Sequence, residues 1–359
     1  MKRILALEGG GVRAFISIQI LTEVEAILRK RTSNPDYRLS EHFDLIAGTS
    51  AGAIIAALLS WGLSMDEVQK NYSSCIKDVF KPAPFYRKHL YYQYTDKYIS
   101  ATLQRLFKED SGQDATFGSD HLKTLLLLVI RNATTGSPWP LCNNPDALFN
   151  QRTHEECNLD LPLWQLVRAS SAAPTYFPSE NIKLSPENNF EFIDGGISPY
   201  NNPSFMAYQT ATLPEYNLAW ETGEDKLFLL SVGAGQVKPE VPGGKHYNMH
   251  KISHAKHVIK SLMYSASVQQ DLACRTVGKT IFGPEIDSEL KERNDPSFPP
   301  HPCFSYTRYD RRLRDSDLKG VNKKDAKKGF ELDNLKLIKF YEDLGEMYVE
   351  QHVSPNHIL

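Results

Sequence analysis

The chain has 359 residues, of which 41% are hydrophobic and 23% charged, and its formal net charge is −2. These values are typical of a globular protein with one large domain or two smaller ones, and the balanced charge does not favour nucleic acid as a partner. The five cysteines are scattered and odd in number, without a C-x-x-C pair. They indicate reduced thiols in a cytoplasmic protein, and they exclude a disulfide framework or a cysteine zinc site.

The N-terminus carries a short apolar stretch that ends at Glu8. Because this stretch is too short for a signal peptide, residues 3–8 are predicted to form a buried strand. No apolar run approaches the roughly 18 residues that a membrane span needs. If the substrate is a membrane lipid, we expect the protein to meet it from the surface.

Strands and helices alternate through the first third of the chain. Apolar spacing predicts a strand at 3–8, a helix at 12–30, a strand at 43–47 and a helix at 51–62. Short turns between such elements predict a parallel sheet with helices on both faces. Ser64 and Glu67 are typical of a capping box that starts another helix.

The later elements are more widely spaced. The patterns predict buried strands at 122–130, 190–194 and 227–232, helices at 161–173, 250–275 and 331–351, and irregular segments at 80–98, 131–160 and 284–302. Residues 80–98 are rich in tyrosine and basic side chains and are interpreted as a loop region that can act as a lid. We predict an α/β core over 1–240. Residues 241–359 are predicted to form a mainly helical extension packed on that core, a candidate regulatory or ligand-sensing part.

A serine stands at the turn between the second predicted strand and its helix, in Gly48-Thr49-Ser50-Ala51-Gly52. A sharp strand-to-helix turn exposes the serine hydroxyl above the sheet edge, and Gly48 and Gly52 leave room for strained backbone and an incoming acyl group. The free N–H groups of the following helix point to the same place and stabilise negative charge. Ser50 is therefore a candidate nucleophile.

A serine hydroxyl needs a base, and no histidine stands in a setting that marks it as that base. Asp194 is better placed, because it ends a predicted buried strand and precedes Gly195 and Gly196. Such an acid faces the crevice where sheet proteins bind ligands. The alternative for Asp-Gly-Gly is an ordinary turn.

A third motif, Gly9-Gly10-Gly11-Val12-Arg13, follows the first strand and starts a helix. Successive glycines can turn their N–H groups into one concavity that holds a phosphate or an oxyanion. The phosphate alternative would suit a nucleotide-binding protein, but a G-x-x-x-x-G-K-[ST] motif is missing from the sequence.

Together, the three motifs resemble those of the patatin-like phospholipase family over residues 3–235, and Ala169–Phe177 resembles the family's helix end beside the active site. The resemblance implies a patatin-like three-layer fold and a serine lipid acyl hydrolase with a metal-independent Ser50–Asp194 dyad. It also implies that Gly10 and Gly11 supply oxyanion N–H groups and that Arg13 braces their loop. One departure is Ala14, where the family often has glycine.

The length and the segment Ser305–Asp310 resemble a bacterial subgroup, the anti-phage effectors of CBASS systems. That resemblance implies activation by a cyclic dinucleotide and degradation of membrane phospholipids from the cytoplasmic side of the inner membrane. It also implies an enzyme that needs no cofactor and that can form an oligomer. The alternatives are a constitutive lipase, an acyltransferase or thioesterase with the same dyad, and a nucleotide-sensing signalling protein.

Two charged segments remain open to more than one interpretation. If the segment is helical, one of its faces carries four histidines, His246, His250, His254 and His257. This face is interpreted as a polar surface or as a binding site for a phosphate-bearing ligand. A metal site is the less favoured alternative, because no acidic or cysteine ligand stands nearby in the sequence. The basic residues of 308–328 are interpreted as a solvated surface, with anionic lipid headgroups as the alternative.

Overall fold

The computed structural model describes residues 1–84, 91–153, 155–239, 251–286, 298–326 and 329–359. The strands are β1 (Lys2–Leu7), β2 (Leu45–Thr49), β3 (Leu125–Asn132), β4 (Pro138–Cys142), β5 (Glu180–Lys183), β6 (Asn189–Asp194), β7 (Leu227–Val232), β8 (Gln236–Val237), β9 (Lys279–Phe282), β10 (Ser305–Tyr309) and β11 (Arg312–Leu313). The helices are α1 (Phe15–Thr32), α2 (Leu39–His42), α3 (Ala51–Ser60), α4 (Met65–Val79), α5 (Lys97–Leu106), α6 (Leu163–Ser170), α7 (Ser204–Thr212), α8 (Lys251–Val277), α9 (Lys323–Ala326) and α10 (Ile338–His352).

The central sheet has nine strands, in the order β5-β6-β3-β2-β1-β7-β10-β9, with β4 also pairing with β3. The six strands from β3 to β9 run parallel, whereas β4, β5 and β6 are antiparallel to their neighbours. β8 and β11 form a separate pair. The carboxyl ends of six parallel strands therefore meet at one edge, where an α/β sheet places its ligand site.

Successive residues of a strand point to opposite faces of the sheet, and here the residues on both faces are apolar. Helices therefore cover both faces. In β1, Leu5 lies in a large core with residues of α1, α3, α4 and α10, whereas Ile4 and Ala6 lie in a smaller core with residues of α7 and α8. This arrangement confirms the prediction of a three-layer α/β fold with a mostly parallel sheet.

The residues after 240 contribute both helices and strands. α10 packs on α1, and Gly345 allows the close approach because a Cβ there would lie 2.8 Å from Gln19 Cβ. β9 and β10 extend the central sheet beyond β7, which the sequence patterns did not predict. The division at residue 240, with a regulatory part after it, stays a prediction, although the extension shares the sheet of the preceding residues.

Most other predicted elements lie within a few residues of those observed. The Ser64–Glu67 capping box is confirmed, because Glu67 Oε2 accepts from Ser64 N at 2.9 Å and Glu67 N donates to Ser64 Oγ at 3.3 Å. The prediction of loops throughout 131–160 is wrong, since β4 lies in that range. In the predicted lid region, residues 85–90 lie outside the described residues and α5 begins at Lys97.

We predict that Leu230→Ala lowers the free energy of unfolding by about 2 to 5 kcal/mol, because Leu230 is fully buried in the central strand β7 and its truncation leaves a cavity. Urea denaturation measures this change. Leu262→Ala is the matched control, since Leu262 is 66% exposed. Equal losses in the two variants would contradict the central position of β7.

Candidate active site

Ser50 occupies a strained turn between β2 and α3. Its φ of 55° and ψ of −123° lie in a region that residues with a side chain rarely adopt. A Cβ at Gly48 would overlap the carbonyl of Gly52, and a Cβ at Gly52 would overlap the carbonyl oxygen of Leu7. The turn therefore requires both glycines, and it presents Ser50 at the N-terminus of α3.

A buried serine holds this turn in place. Ser170, the last residue of α6, accepts a hydrogen bond from Ser50 N at 3.0 Å and donates one from the same hydroxyl to Val129 O at 2.7 Å. The hydroxyl thus ties the turn to β3. In the sequence, Ser170 lies within Ala169–Phe177, but no motif there indicates this role.

Asp194 lies directly beside Ser50. Its Oδ2 accepts a hydrogen bond from Ser50 Oγ at 2.7 Å, and its Oδ1 accepts one from Gly196 N at 2.6 Å. The sheet register explains the contact, because β2 ends with Thr49 opposite Val129 and the antiparallel β6 ends with Asp194 opposite Ile130. Because Val129 and Ile130 are adjacent in β3, the ends of β2 and β6 lie at the same height along the sheet, and the side chains of Ser50 and Asp194 meet there.

Burial controls the acidity of this carboxyl group. Asp194 is 4% exposed, and desolvation raises its pKa from 3.8 to about 6, against the opposing effects of the Ser50 and Gly196 hydrogen bonds and the Arg168 charge. A carboxylate with this pKa is ionised at neutral pH and can accept a proton more readily than an ordinary aspartate.

The glycine loop lies against the same serine. A Cβ at Gly9 would lie 2.9 Å from Ser50 Cβ, so only glycine permits this approach. Gly11 has a φ of +55°, and a Cβ there would lie 2.6 Å from Leu332 O. Among the hydrogen bonds of the described residues, none is donated by the N–H groups of Gly10 or Gly11. Within the described ranges, these two N–H groups therefore have no protein acceptor.

Arg13 contacts this loop from its carbonyl side. Its Nε donates to Gly10 O at 3.4 Å, and its Nη1 donates to Gly235 O at 3.0 Å. The guanidinium therefore links the glycine loop to the segment after β7.

The two glycines after Asp194 also stand where a side chain does not fit. A Cβ at Gly195 would overlap the carbonyl oxygen of Val129, and one at Gly196 would lie 2.9 Å from Asp194 Oδ1. The structure thus brings together at the sheet edge all ten residues that the sequence analysis selected: Gly9, Gly10, Gly11, Arg13, Gly48, Ser50, Gly52, Asp194, Gly195 and Gly196.

Asn201 is a site residue that the sequence analysis missed. Its backbone O accepts from Gly9 N at 3.2 Å, and its Nδ2 donates to Glu8 Oε1 at 3.2 Å and to Gly9 O at 3.4 Å. Asn201 stands in a loop without a recognisable motif, so only the folded chain reveals this contact.

The histidine face is only partly described. His246 and His250 lie outside the described residues, whereas His254 and His257 belong to α8. Within the described ranges, no group of three or more His, Cys, Asp or Glu side chains is arranged to hold a metal ion. None of the helices described there is both long and apolar enough to cross a membrane.

Comparison with known proteins identifies the family. The sequence model of the patatin-like phospholipase family matches residues 5–208, so the chain belongs to that family. It is 30% identical over 234 residues to the cGAMP-activated phospholipase of Escherichia coli (strain TW11681), covering 64% of this chain and 61% of that protein. It is 31% identical over 213 residues to the cGAMP-activated phospholipase of Vibrio cholerae, covering 57% and 56%.

A plant relative matches a similar span. Patatin-17 of Solanum cardiophyllum is 26% identical over 259 residues, covering 66% of this chain and 61% of that protein. The matched part therefore amounts to about three fifths of the length of these relatives, at 61%, 56% and 61%.

We predict that Asp194→Asn is more stable than the natural protein above pH 6 by on the order of 2 kcal/mol, and equally stable below about pH 4. The folded-state pKa is raised from 3.8 to about 6, so ionisation of Asp194 costs stability as the pH rises through this window. Asparagine does not ionise and escapes that cost. Urea denaturation at pH 8 and pH 4 measures the difference.

The control for this prediction is Asp120→Asn, which removes one charge from an exposed position. A stability difference between the Asp194 variant and the natural protein that is as large at pH 4 as at pH 8 would contradict the assigned cause.

Proposed function

We propose that this protein is a serine lipid acyl hydrolase that releases fatty acids from membrane phospholipids. In this proposal, Ser50 is the nucleophile and Asp194 the general base. The N–H groups of Gly10 and Gly11 form the oxyanion hole, and Arg13 braces their loop. The observation that carries the proposal is the 2.7 Å hydrogen bond from Ser50 Oγ to Asp194 Oδ2, at a strained turn in a patatin-like phospholipase chain.

Acylation begins when Ser50 Oγ attacks the ester carbonyl carbon and Asp194 Oδ2 accepts its proton. The carbonyl π electrons move to oxygen, and the loop N–H groups stabilise the oxyanion. When the tetrahedral intermediate collapses, the ester C–O bond breaks and the departing alcohol oxygen takes the proton from Asp194.

Deacylation repeats these steps with water. Asp194 accepts a proton from the water molecule that attacks the acyl-Ser50 carbonyl. When this second intermediate collapses, the bond from carbon to Ser50 Oγ breaks, the fatty acid leaves, and Asp194 returns the proton to Ser50 Oγ. No step of this scheme calls on a metal ion or a cofactor.

The choice of phospholipid substrate is supported by the family and by the names of the relatives. The family model is that of patatin-like phospholipases, and two relatives are phospholipases. We propose that the protein acts peripherally, at the cytoplasmic surface of the inner membrane, as its resemblance to bacterial anti-phage effectors implies.

We also propose that a cyclic dinucleotide activates the enzyme, as in an anti-phage CBASS effector. Two relatives at 30% and 31% identity are cGAMP-activated phospholipases. Patatin-17, at 26% identity, carries no such activator in its name, so the family alone does not imply nucleotide control.

We predict that phospholipid vesicles incubated with the natural protein release fatty acid, and that Ser50→Ala and Asp194→Asn each reduce the rate by about 10³-fold or more. Each variant removes one partner of the proton transfer. Ser60→Ala is the matched control, because Ser60 is a buried serine on the same helix. The assay is run with and without a panel of cyclic dinucleotides, including cGAMP.

The outcomes separate the alternatives. Ser50-dependent release that requires one nucleotide supports both parts of the proposal, whereas release regardless of nucleotide leaves a constitutive lipase. A new ester in place of free fatty acid identifies an acyltransferase, and turnover confined to thioesters identifies a thioesterase. Fatty-acid release that is unchanged in Ser50→Ala would contradict the dyad. Binding of a nucleotide without release of fatty acid under any condition would indicate a nucleotide sensor.

We predict that kcat/KM falls about tenfold for each pH unit below about 6, because a protonated Asp194 cannot accept the Ser50 proton. The pKa is raised to about 6, so the ionised base prevails only above that pH. Steady-state kinetics between pH 4.5 and 8 give the profile, with circular dichroism as a check of folding at each pH. A profile that is flat down to pH 4.5 would exclude Asp194 as the base.

A further inference from the structure

A buried charged cluster adjoins the glycine loop and is not used by the mechanism above. It consists of Glu8, Arg308 and Asp310, whose exposed fractions are 8%, 1% and 3%. Glu8 follows β1 and immediately precedes Gly9, whereas Arg308 lies in β10. The interpretation of Arg308 as part of a solvated basic surface is therefore wrong.

One arginine holds the cluster together. Arg308 Nη2 donates to Glu8 Oε2 at 2.5 Å and to Asp310 Oδ2 at 2.6 Å, and Arg308 Nη1 donates to Ser231 Oγ at 2.8 Å. Ser267 of α8 donates to Glu8 Oε1. Two elements of the extension, α8 and β10, thus contact Glu8, the residue immediately before the glycine loop.

Glu8 passes this restraint to the loop through Asn201. The asparagine Nδ2 lies 3.2 Å from Glu8 Oε1 and 3.4 Å from Gly9 O, and Gly9 N donates to Asn201 O at 3.2 Å. Gly9 in turn lies against Ser50, where a Cβ would come within 2.9 Å of Ser50 Cβ. The contacts run without a gap from Arg308 to the nucleophile.

Stability alone is a poor reason for such a cluster. Desolvation of buried charges costs free energy that their attraction often fails to recover, and an apolar replacement is frequently neutral or stabilising. A buried ion network is better suited to fix one arrangement of the groups around it. Here the groups around it include the backbone on which the oxyanion hole depends.

We propose that Arg308 is a positioning residue for the oxyanion loop. By pairing with Glu8, Arg308 holds Gly9 through Asn201 and so keeps the N–H groups of Gly10 and Gly11 at Ser50. The strand β10 of the extension is then part of the catalytic apparatus. This inference rests on the proposed roles of Ser50 and the glycine loop.

The test uses a fluorophosphonate probe, which reports on the oxyanion loop without a lipid substrate. Ser50 Oγ forms a bond to phosphorus, fluoride leaves, and the serine proton passes to Asp194, while the phosphoryl oxygen occupies the oxyanion position. The second-order rate of labelling is measured by mass spectrometry of the intact protein, with Ser50→Ala as the site control.

We predict that Arg308→Met slows labelling by about 10- to 100-fold, because the loop N–H groups shift away from the oxyanion. We expect Arg308→Lys to recover part of the rate, since it keeps the charge but not the fork of donors. Arg275→Met is the matched control. Arg275 is 6% exposed and pairs with Asp271 within α8, and its contacts do not include Glu8.

A second variant decides the question if Arg308→Met does not fold. Glu8→Gln keeps an amide partner for Asn201 and leaves Arg308 paired with Asp310, so the buried charge is balanced. We expect it to slow labelling by about 3- to 10-fold at a melting temperature within a few degrees of the natural protein.

The outcomes are distinct. If the natural protein is labelled at Ser50 and both Glu8→Gln and the folded Arg308→Met label at the natural rate, the positioning role is overturned while the dyad stands. A purely structural role predicts equal slowing in Arg275→Met and Arg308→Met. If the natural protein is not labelled at Ser50, the proposed function fails and this inference fails with it.

Discussion

The site depends on a close approach of backbone segments at the carboxyl edge of the sheet, where a Cβ does not fit. Gly9, Gly48, Gly52 and Gly195 each lie against another backbone segment or against Ser50 itself. These approaches let the glycine loop, the Ser50 turn and the end of β6 converge, and the 2.7 Å contact of Ser50 with Asp194 follows from that convergence. A single methyl group at any of these glycines separates segments that must touch, so the strained turn and its contact with Asp194 depend on the same packing.

Electrostatics at this edge follow from the same dense packing. Exclusion of water raises the pKa of Asp194 to about 6, which costs stability at neutral pH and suits its proposed role as a base that accepts and returns a proton. The neighbouring Glu8, Arg308 and Asp310 are also buried, but there both carboxylates accept direct hydrogen bonds from one guanidinium. The same edge therefore holds Asp194, whose pKa is raised by desolvation, and two carboxylates that share the Arg308 guanidinium. Gly9 contacts Asn201, which also contacts Glu8.

The extension is joined to this edge more closely than its position in the chain suggests. β10 pairs with β7 inside the central sheet, and α8 contacts Glu8 through Ser267. A ligand that shifted either element would act on the glycine loop through contacts that already exist. In the proposed mechanism, such a shift would move the loop that supplies the oxyanion donors.

The sequence alone determined the three motifs, the alternation of strands and helices, and the family, because glycine spacing and apolar periodicity are local properties. It located Ser50 and Asp194 at the ends of strands. Only the tertiary structure decided that Asp194 arrives on an antiparallel strand, that Ser170 and Asn201 hold the turn and the loop, and that β10 belongs to the central sheet. Arg308 shows the reason most clearly. The residues from Asp310 onward are rich in charge and indicate a surface, but its partner Glu8 lies 300 positions away, and their contact is buried.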